Sequence, residues 1–353
     1  MAFADTVNDS EAHFQVAKYD GTSSGAKTFT FPGTTDMQGD FIWFKQYNAT
    51  RSHVQIDSVR GVTKAIQSDT DDAEHTNDKY LASFDSDGFT TGSSQDNGSN
   101  TSGGEYVAYC WKANGSGSSN TTGTINTTAT SANATSKFSI ITYTGNATSG
   151  ATIGHGIGVA PKFLIIKSRS QSGSDFVTWI NPMAVNEYMY LNSTAVKTSD
   201  TDFMNSTLPS STLITLGNKG NVNANTENYV AYAAAEVSGW TRFGSYVGNV
   251  NADGKFIWLG FKPALFIVKE TGNAENWIIY DNKRGDYGNA NPNDQHLTTN
   301  TTAAESSGTA IDFLSNGIKL RSNAGHLNEG SYIFAAWAEM PFVNSEGVPG
   351  NAQ

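Results

Sequence analysis

The sequence predicts an all-β protein built as three tandem β-sandwich, jelly-roll-like repeats. Three observations predict it. The first is a strand that occurs three times: Glu105-Tyr106-Val107-Ala108-Tyr109-Cys110-Trp111-Lys112, then Asn228-Tyr229-Val230-Ala231-Tyr232-Ala233-Ala234, then Ser331-Tyr332-Ile333-Phe334-Ala335-Ala336-Trp337. Both alternating faces are apolar, which predicts a central strand covered on both sides. The second is a run ending in lysine upstream of each copy: Phe41–Lys45, Phe163–Lys167 and Leu265–Lys269. From Lys45 to Tyr106, Lys167 to Tyr229 and Lys269 to Tyr332 the spacing is 61, 62 and 63 residues, a register that chance apolar clusters would not hold. The third is composition. Charged residues make up only 16% of 353, while Gly, Ser, Thr and Asn abound, which suits sheets and turns better than helices.

These markers divide the chain. Residues 1–13 read as an N-terminal arm, flexible or docking. Repeat 1 covers 14–112, repeat 2 covers 138–238 and repeat 3 covers 239–342, followed by a tail at 343–353. Residues 113–137 are a Ser/Thr/Asn-rich linker by composition. Each repeat opens on a strand ending in a Gly turn, at Phe14–Gly21, Phe138–Gly145 and Trp240–Gly248. Pro161 and Pro263 precede the lysine strands of the second and third repeats, where proline costs no ladder donor. Asp87-Gly88 and Asn316-Gly317 predict tight hairpins. Trp43, Lys45, Tyr106, Trp111, Lys167, Tyr229, Lys269, Tyr332 and Trp337 are the expected repeat core. Trp43, Trp258 and Trp277 are placed in cores or domain contacts.

The pattern Asp-x-x-Arg-Gly occurs at Asp57/Arg60 and at Asp281/Arg284. It reads as a strand end closed by a turn, with the aspartate capping and the arginine paired to it. The second repeat has Asn181-Pro182-Met183 there and lacks the pair.

Other chemistry is weakly signalled. Net charge is −11 and no Lys/Arg run occurs, so a nucleic-acid footprint is missing. No apolar run approaches a membrane span of about 20 residues, and Met1–His13 does not read as a signal peptide. The single cysteine, Cys110, reads as a core residue and excludes an intrachain disulfide and a cysteine-based zinc site. The six histidines match no metal motif and read as surface or turn residues. Asp69/Asp71/Asp72/Glu74 and Asp85/Asp87 offer oxygen ligands but no 12-residue calcium loop, so they read as turn caps. Gly154-His155-Gly156-Ile157-Gly158 precedes a strand rather than a helix and reads as a turn, not a dinucleotide loop. Glu236 and Glu339 occupy matching places, which favours a structural role over one catalytic centre. Neither cofactor nor catalytic residue is expected.

The chain resembles the tandem domain of unknown function found in structural and tail-fibre proteins of marine tailed bacteriophages. The likeness rests on the lysine strands, Asp57–Gly61, Ser83–Phe89, Tyr106–Lys112, Tyr143–Asn146 and Gly154–Gly156, and runs from about Phe14 to Phe342. It implies a non-enzymatic virion structural protein on the particle exterior, as a tail fibre, appendage or capsid decoration. It implies other virion proteins and a host surface glycan as partners, without nucleic acid or membrane. A homotrimer or a pseudo-trimeric monomer is expected. Recognition is placed on the loops Thr91–Gly104, Gly217–Asn228 and Arg321–Gly330. A glycan-active depolymerase, or a carbohydrate-binding module or adhesin, is the alternative.

Overall fold

The alternation in Glu105–Trp111 decides the architecture. In the computed structural model, which describes residues 7–22, 25–92, 98–285 and 291–341, this strand lies between Phe14–Asp20 and Phe41–Gln46. Tyr106, Ala108 and Cys110 face a core with Phe31, Leu81 and Phe89. Val107, Tyr109 and Trp111 face the opposite way, into a core shared with the rest of the chain. The fold is all-β with antiparallel sheets, and among the described residues the helices are the short Gly220–Asn223 and Gly325–Asn328.

Three large sheets carry the same strand order. The first runs Phe14–Asp20, Glu105–Trp111, Phe41–Gln46, Val54–Asp57, Lys64–Gln67, His75–Thr76. The second contains Phe138–Thr144, Asn228–Ala234, Phe163–Ser168, Val177–Ile180 and Glu187–Tyr190 in that order. The third runs Thr241–Val247, Ser331–Pro341, Phe261–Glu270, Ile278–Asp281, Leu297–Thr298. Lys45, Lys167 and Lys269 therefore sit on strands with the same neighbours. Each large sheet has a small companion sheet within its own segment of chain. The companion strands are Thr28–Phe29, Gly88–Thr91 and Leu81–Asp85; then Ala151–Gly154 and Leu213–Leu216; then Phe256–Trp258, Gly317–Leu320 and Ile311–Leu314. Packing a large sheet on a small one buries the inner faces and leaves a sandwich-like layer pair.

The outer faces of the large sheets meet one another. Phe41 stacks on Tyr232 at 4.2 Å, and Trp111 lies 5.3 Å from Trp337. Phe163 lies 5.6 Å from Trp337. The gap left among these rings is only about 10 Å³, so the centre is filled with side chains and has no room for a ligand.

Several expectations need correction. Residues 113–137 are not a loose linker, since Ala129–Asn133 adds an edge strand to the second sheet beside Phe138–Thr144. The segment buries Ala113 and Ile125 in the core, and its hydroxyls and amides supply the rest of the hold. Ser131 Oγ accepts from Asn114 N at 2.7 Å, Thr127 and Thr130 share a 2.9 Å bond, and Asn133 reaches His13 at 3.1 Å. In the arm, Val7 is only 1% exposed and belongs to the core, while Glu11 accepts from Thr34 N. Residues 1–6 and the tail 343–353 lie outside the described residues. Pro263 lies inside Phe261–Glu270 at a register shift, where a bulge tolerates its missing donor. The hairpin turns are Ser86-Asp87 and Ser315-Asn316, one residue earlier than read, with Gly88 opening its strand at φ +106°. Trp43 and Trp277 are buried, but Trp258 is 44% exposed, because its strand shows one face to solvent.

Candidate functional site: buried polar locks

The Asp-x-x-Arg pairs are buried charges. Asp57 Oδ1 accepts from the backbone N–H groups of Val59 and Arg60, at 3.1 and 2.8 Å. Its Oδ2 accepts from Arg60 Nε at 2.5 Å and from the Tyr232 hydroxyl at 2.8 Å. Asp281 repeats this with Lys283, Arg284 and the hydroxyl of Tyr109, at 2.9, 2.6 and 2.9 Å for the two backbone bonds, the Arg284 Nε and the tyrosine in turn. Tyr109 and Tyr232 occupy matching positions on the central strands. The first sheet thus reaches into the third through Tyr109, and the second into the first through Tyr232. At the third meeting both partners change together: Ile180 stands at the aspartate position and Ala335 at the tyrosine position. An unpaired buried carboxylate would be costly, so loss of both partners at once keeps the contact viable.

A glutamate completes each charged lock. Arg60 Nη1 donates to Glu74 at 3.2 Å and Arg284 Nη1 to Glu305 at 3.0 Å. Burial opposes the Arg60 charge, but Asp57, Tyr232 and Glu74 outweigh it and hold the guanidinium protonated. Glu74 also receives a two-pronged bond from Arg169, at 2.9 and 3.0 Å. Burial raises Glu74, yet the two arginines overcome this and hold it below the usual carboxylate range. Glu305 has Tyr47 where Glu74 has Arg169, and burial leaves it raised.

The same loops close the contacts through the backbone. Glu74 N donates to Arg169 O at 2.9 Å, Lys197 N to Thr271 O at 2.9 Å and Glu305 N to Tyr47 O at 2.8 Å. Each acceptor lies two residues beyond a marker lysine. The first sheet contacts the second, the second the third, and the third the first, so the series closes on itself. Two of the three lysines serve the same joints. Lys45 Nζ donates to Ala49 O, Arg51 O and, across the joint, Thr302 O at 3.1 Å. Lys167 Nζ donates to Ser174 O and, across the joint, to Asp71 O at 3.2 Å. Lys269 Nζ donates to Glu270 O and Asn273 O of its own loop. Burial lowers all three ammonium groups to about 8. They still carry donors where loop carbonyls would otherwise be orphaned.

A third device pins the loops before the central strands. Tyr19 stacks on Tyr106 at 5.1 Å, Tyr143 on Tyr229 at 5.2 Å and Tyr246 on Tyr332 at 4.7 Å. The first tyrosine of each pair donates to a loop carbonyl, at Ser99, Val222 and Leu327. The next residue is a buried asparagine, Asn100, Asn223 or Asn328, whose side chain bonds the Gly turn that ends the opening strand or the segment just after it. Exposed positions among the described loop residues include Ser102, Asn218, Asn225, Arg321 and Glu329. Residues 93–97 of the first loop lie outside the described residues.

Trp111 and Trp337 lie in the central aromatic cluster, and Trp43 donates to His53 Nδ1 at 3.0 Å. The matched glutamates Glu236 and Glu339 pair with Lys162 and Lys262, at 2.7 and 2.9 Å. Three of the six histidines are not surface residues: His53 and His155 are fully buried and His296 nearly so, while His13, His75 and His326 are partly exposed. His296 lies 5.4 Å from His326, ring to ring, and burial followed by His326 lowers it to about 4. Its folded pKa is below the unfolded value of about 6.5. The stability it contributes is therefore present above pH 6.5 and lost as pH falls toward 4. Urea titrations at pH 7.5 and 4.5 should show about 2 kcal/mol less acid destabilisation in His296→Ala than in the wild type. The matching residue of the first sheet is Ala65, so the site tolerates the change.

Among the described residues, no group of three or more His, Cys, Asp or Glu side chains is placed to hold a metal ion. No helix among them is long and apolar enough to cross a membrane. A polar cleft of about 370 Å³ opens in the first sheet beside Gln46, Arg51, Gln67, Tyr80 and Ser99, with Thr302 on its wall. Sequence reading missed Glu74, Glu305, Tyr109 and Tyr232 as lock partners. Only the first copy holds both the tyrosine and Asp-x-x-Arg, so no local pairing in the sequence signalled these bonds. No curated protein and no solved structure matches the chain. Residues 9–341 match the domain of unknown function DUF7483 across all three sheets, and the chain belongs to that family.

Proposed function

We propose that this chain is a non-enzymatic structural protein on the exterior of a bacteriophage particle, as a tail fibre, appendage or capsid decoration. Three copies of one sandwich unit form a pseudo-trimeric monomer. The observation that carries this reading is the use of buried charge. Asp57/Arg60/Glu74, Asp281/Arg284/Glu305 and the three lysines all bond turns, loops or neighbouring sheets. A repeated head-to-tail contact that closes within one chain leaves no free copy of itself, so further chains have no place in that ring. Such a body is a rigid mount. The pinned loops before the central strands face partners from one end of it, toward neighbouring virion proteins or a host glycan. The resemblance to phage structural proteins in the lysine strands and in Asp57–Gly61 supports the location.

The test is a census of purified particles that carry this sequence. Mass spectrometry should find the chain in stoichiometric amounts, and antibodies should label it on intact particles. Its presence in infected-cell lysate but not in particles would overturn the reading. Shortening the three loops should leave the fold intact and abolish incorporation or adsorption.

A further inference from the structure

We propose that the outer face of the Phe256–Trp258 strand is a saccharide-binding platform. Ile257 points into the core, while Phe256 and Trp258 on either side of it are 45% and 44% exposed. Strand geometry sets such neighbours roughly 6.6 Å apart on one face. Both rings lie over glycines. A Cβ at Gly317 would come within 2.9 Å of the Phe256 ring, and one at Gly260 within 3.1 Å of the Trp258 ring. These absent side chains leave room for the rings close to the backbone. The Arg242 guanidinium sits 5.2 Å from the Trp258 ring centre and steadies it.

The surroundings suit hydroxyl groups. Register places Lys319 beside Phe256 and Asp312 beyond Lys319. Arg321 pairs with Asp312 at 2.6 Å, and Lys319 with Asp253 at 2.8 Å. Asp312 and Arg321 also line an open groove with Asn291, Pro292 and Ala310. The rim therefore offers donors and acceptors side by side, as a sugar requires. Size decides against a protein partner. Two rings of this exposure present on the order of 200 Å² of apolar surface, against roughly 800 Å² per side for a stable protein interface. One or two pyranose rings fit the smaller figure. The site deepens the particle-surface reading by adding a sheet face to the loops as a recognition surface, but its binding needs only the folded chain.

The experiment applies the fluorescently labelled full chain to a microarray of purified neutral and acidic bacterial surface polysaccharides. The wild type should bind, and Phe256→Ala and Trp258→Ala should each weaken binding about tenfold or more. Val247→Ala, an exposed residue on a large-sheet strand, should bind normally, and all variants should melt like the wild type. Binding to acidic polysaccharides alone would assign selectivity to Arg242, Lys319 and Arg321; binding to neutral ones would assign it to stacking. Failure to bind any printed polysaccharide, or undiminished binding by Phe256→Ala and Trp258→Ala, would overturn the proposal. Absence of the chain from particles would overturn the virion reading and leave a positive array result standing.

Discussion

Arg60→Met is expected to cost the folded protein about 3–5 kcal/mol. The side chain is fully buried and bonds Asp57, Glu74, the carbonyl of Gln55 and the Tyr232 hydroxyl. Methionine fills most of the volume but leaves Asp57 as a buried carboxylate facing only backbone N–H groups and Tyr232. Glu74 keeps Arg169, so the loss centres on Asp57. The joint between the second and third sheets carries the apolar solution, Ile180 and Ala335. Asp57→Ile combined with Arg60→Met and Tyr232→Phe, which removes the hydroxyl but keeps the ring on Phe41, should accordingly be milder than Arg60→Met alone. Urea denaturation at neutral pH measures both. A cost below about 1 kcal/mol for Arg60→Met would mean that the lock behaves as a solvated surface pair.

Trp111→Ala is the second large loss, again about 3–5 kcal/mol. Trp111 touches Phe14 and Phe41 of its own sheet, Phe138 of the second and Trp337 of the third, at ring separations of 4.9, 5.2, 6.1 and 5.3 Å. Its neighbours are anchored on three different sheets and cannot all collapse into the space left. The second sheet has Ala234 at the matching position, so the centre accepts one small residue there but is built around two tryptophans. Trp258→Ala, on an exposed face, should cost far less in the same assay.

The strands were legible because their signal is local. Alternation in Tyr106–Trp111 implied two covered faces, and both are covered. The Asp57/Arg60 turn was legible for the same reason, since both partners lie within one turn. What escaped was set by long-range geometry. Nothing near Glu74 announces Arg60 or Arg169, and nothing near Tyr232 announces Asp57. Residues 113–137 misled through composition: Ser, Thr and Asn serve a linker, but they also satisfy an edge strand through hydroxyl and amide bonds, as Ser131 and Asn133 do. Trp258 misled through hydrophobicity, which marks a strand but not which of its faces meets solvent. The histidines were read from missing motifs, whereas His53 is fixed by its bond to Trp43 across neighbouring strands.

The central claim is that the three sheets form one closed body rather than beads on a chain. Differential scanning calorimetry tests it directly, by comparing the calorimetric enthalpy with the van't Hoff enthalpy of the same transition. Shared aromatic packing and the three backbone joints predict a single transition with a ratio of about 1. Separate transitions, or one broad transition with a ratio of about 3, would show three independently folding units and contradict the closed ring.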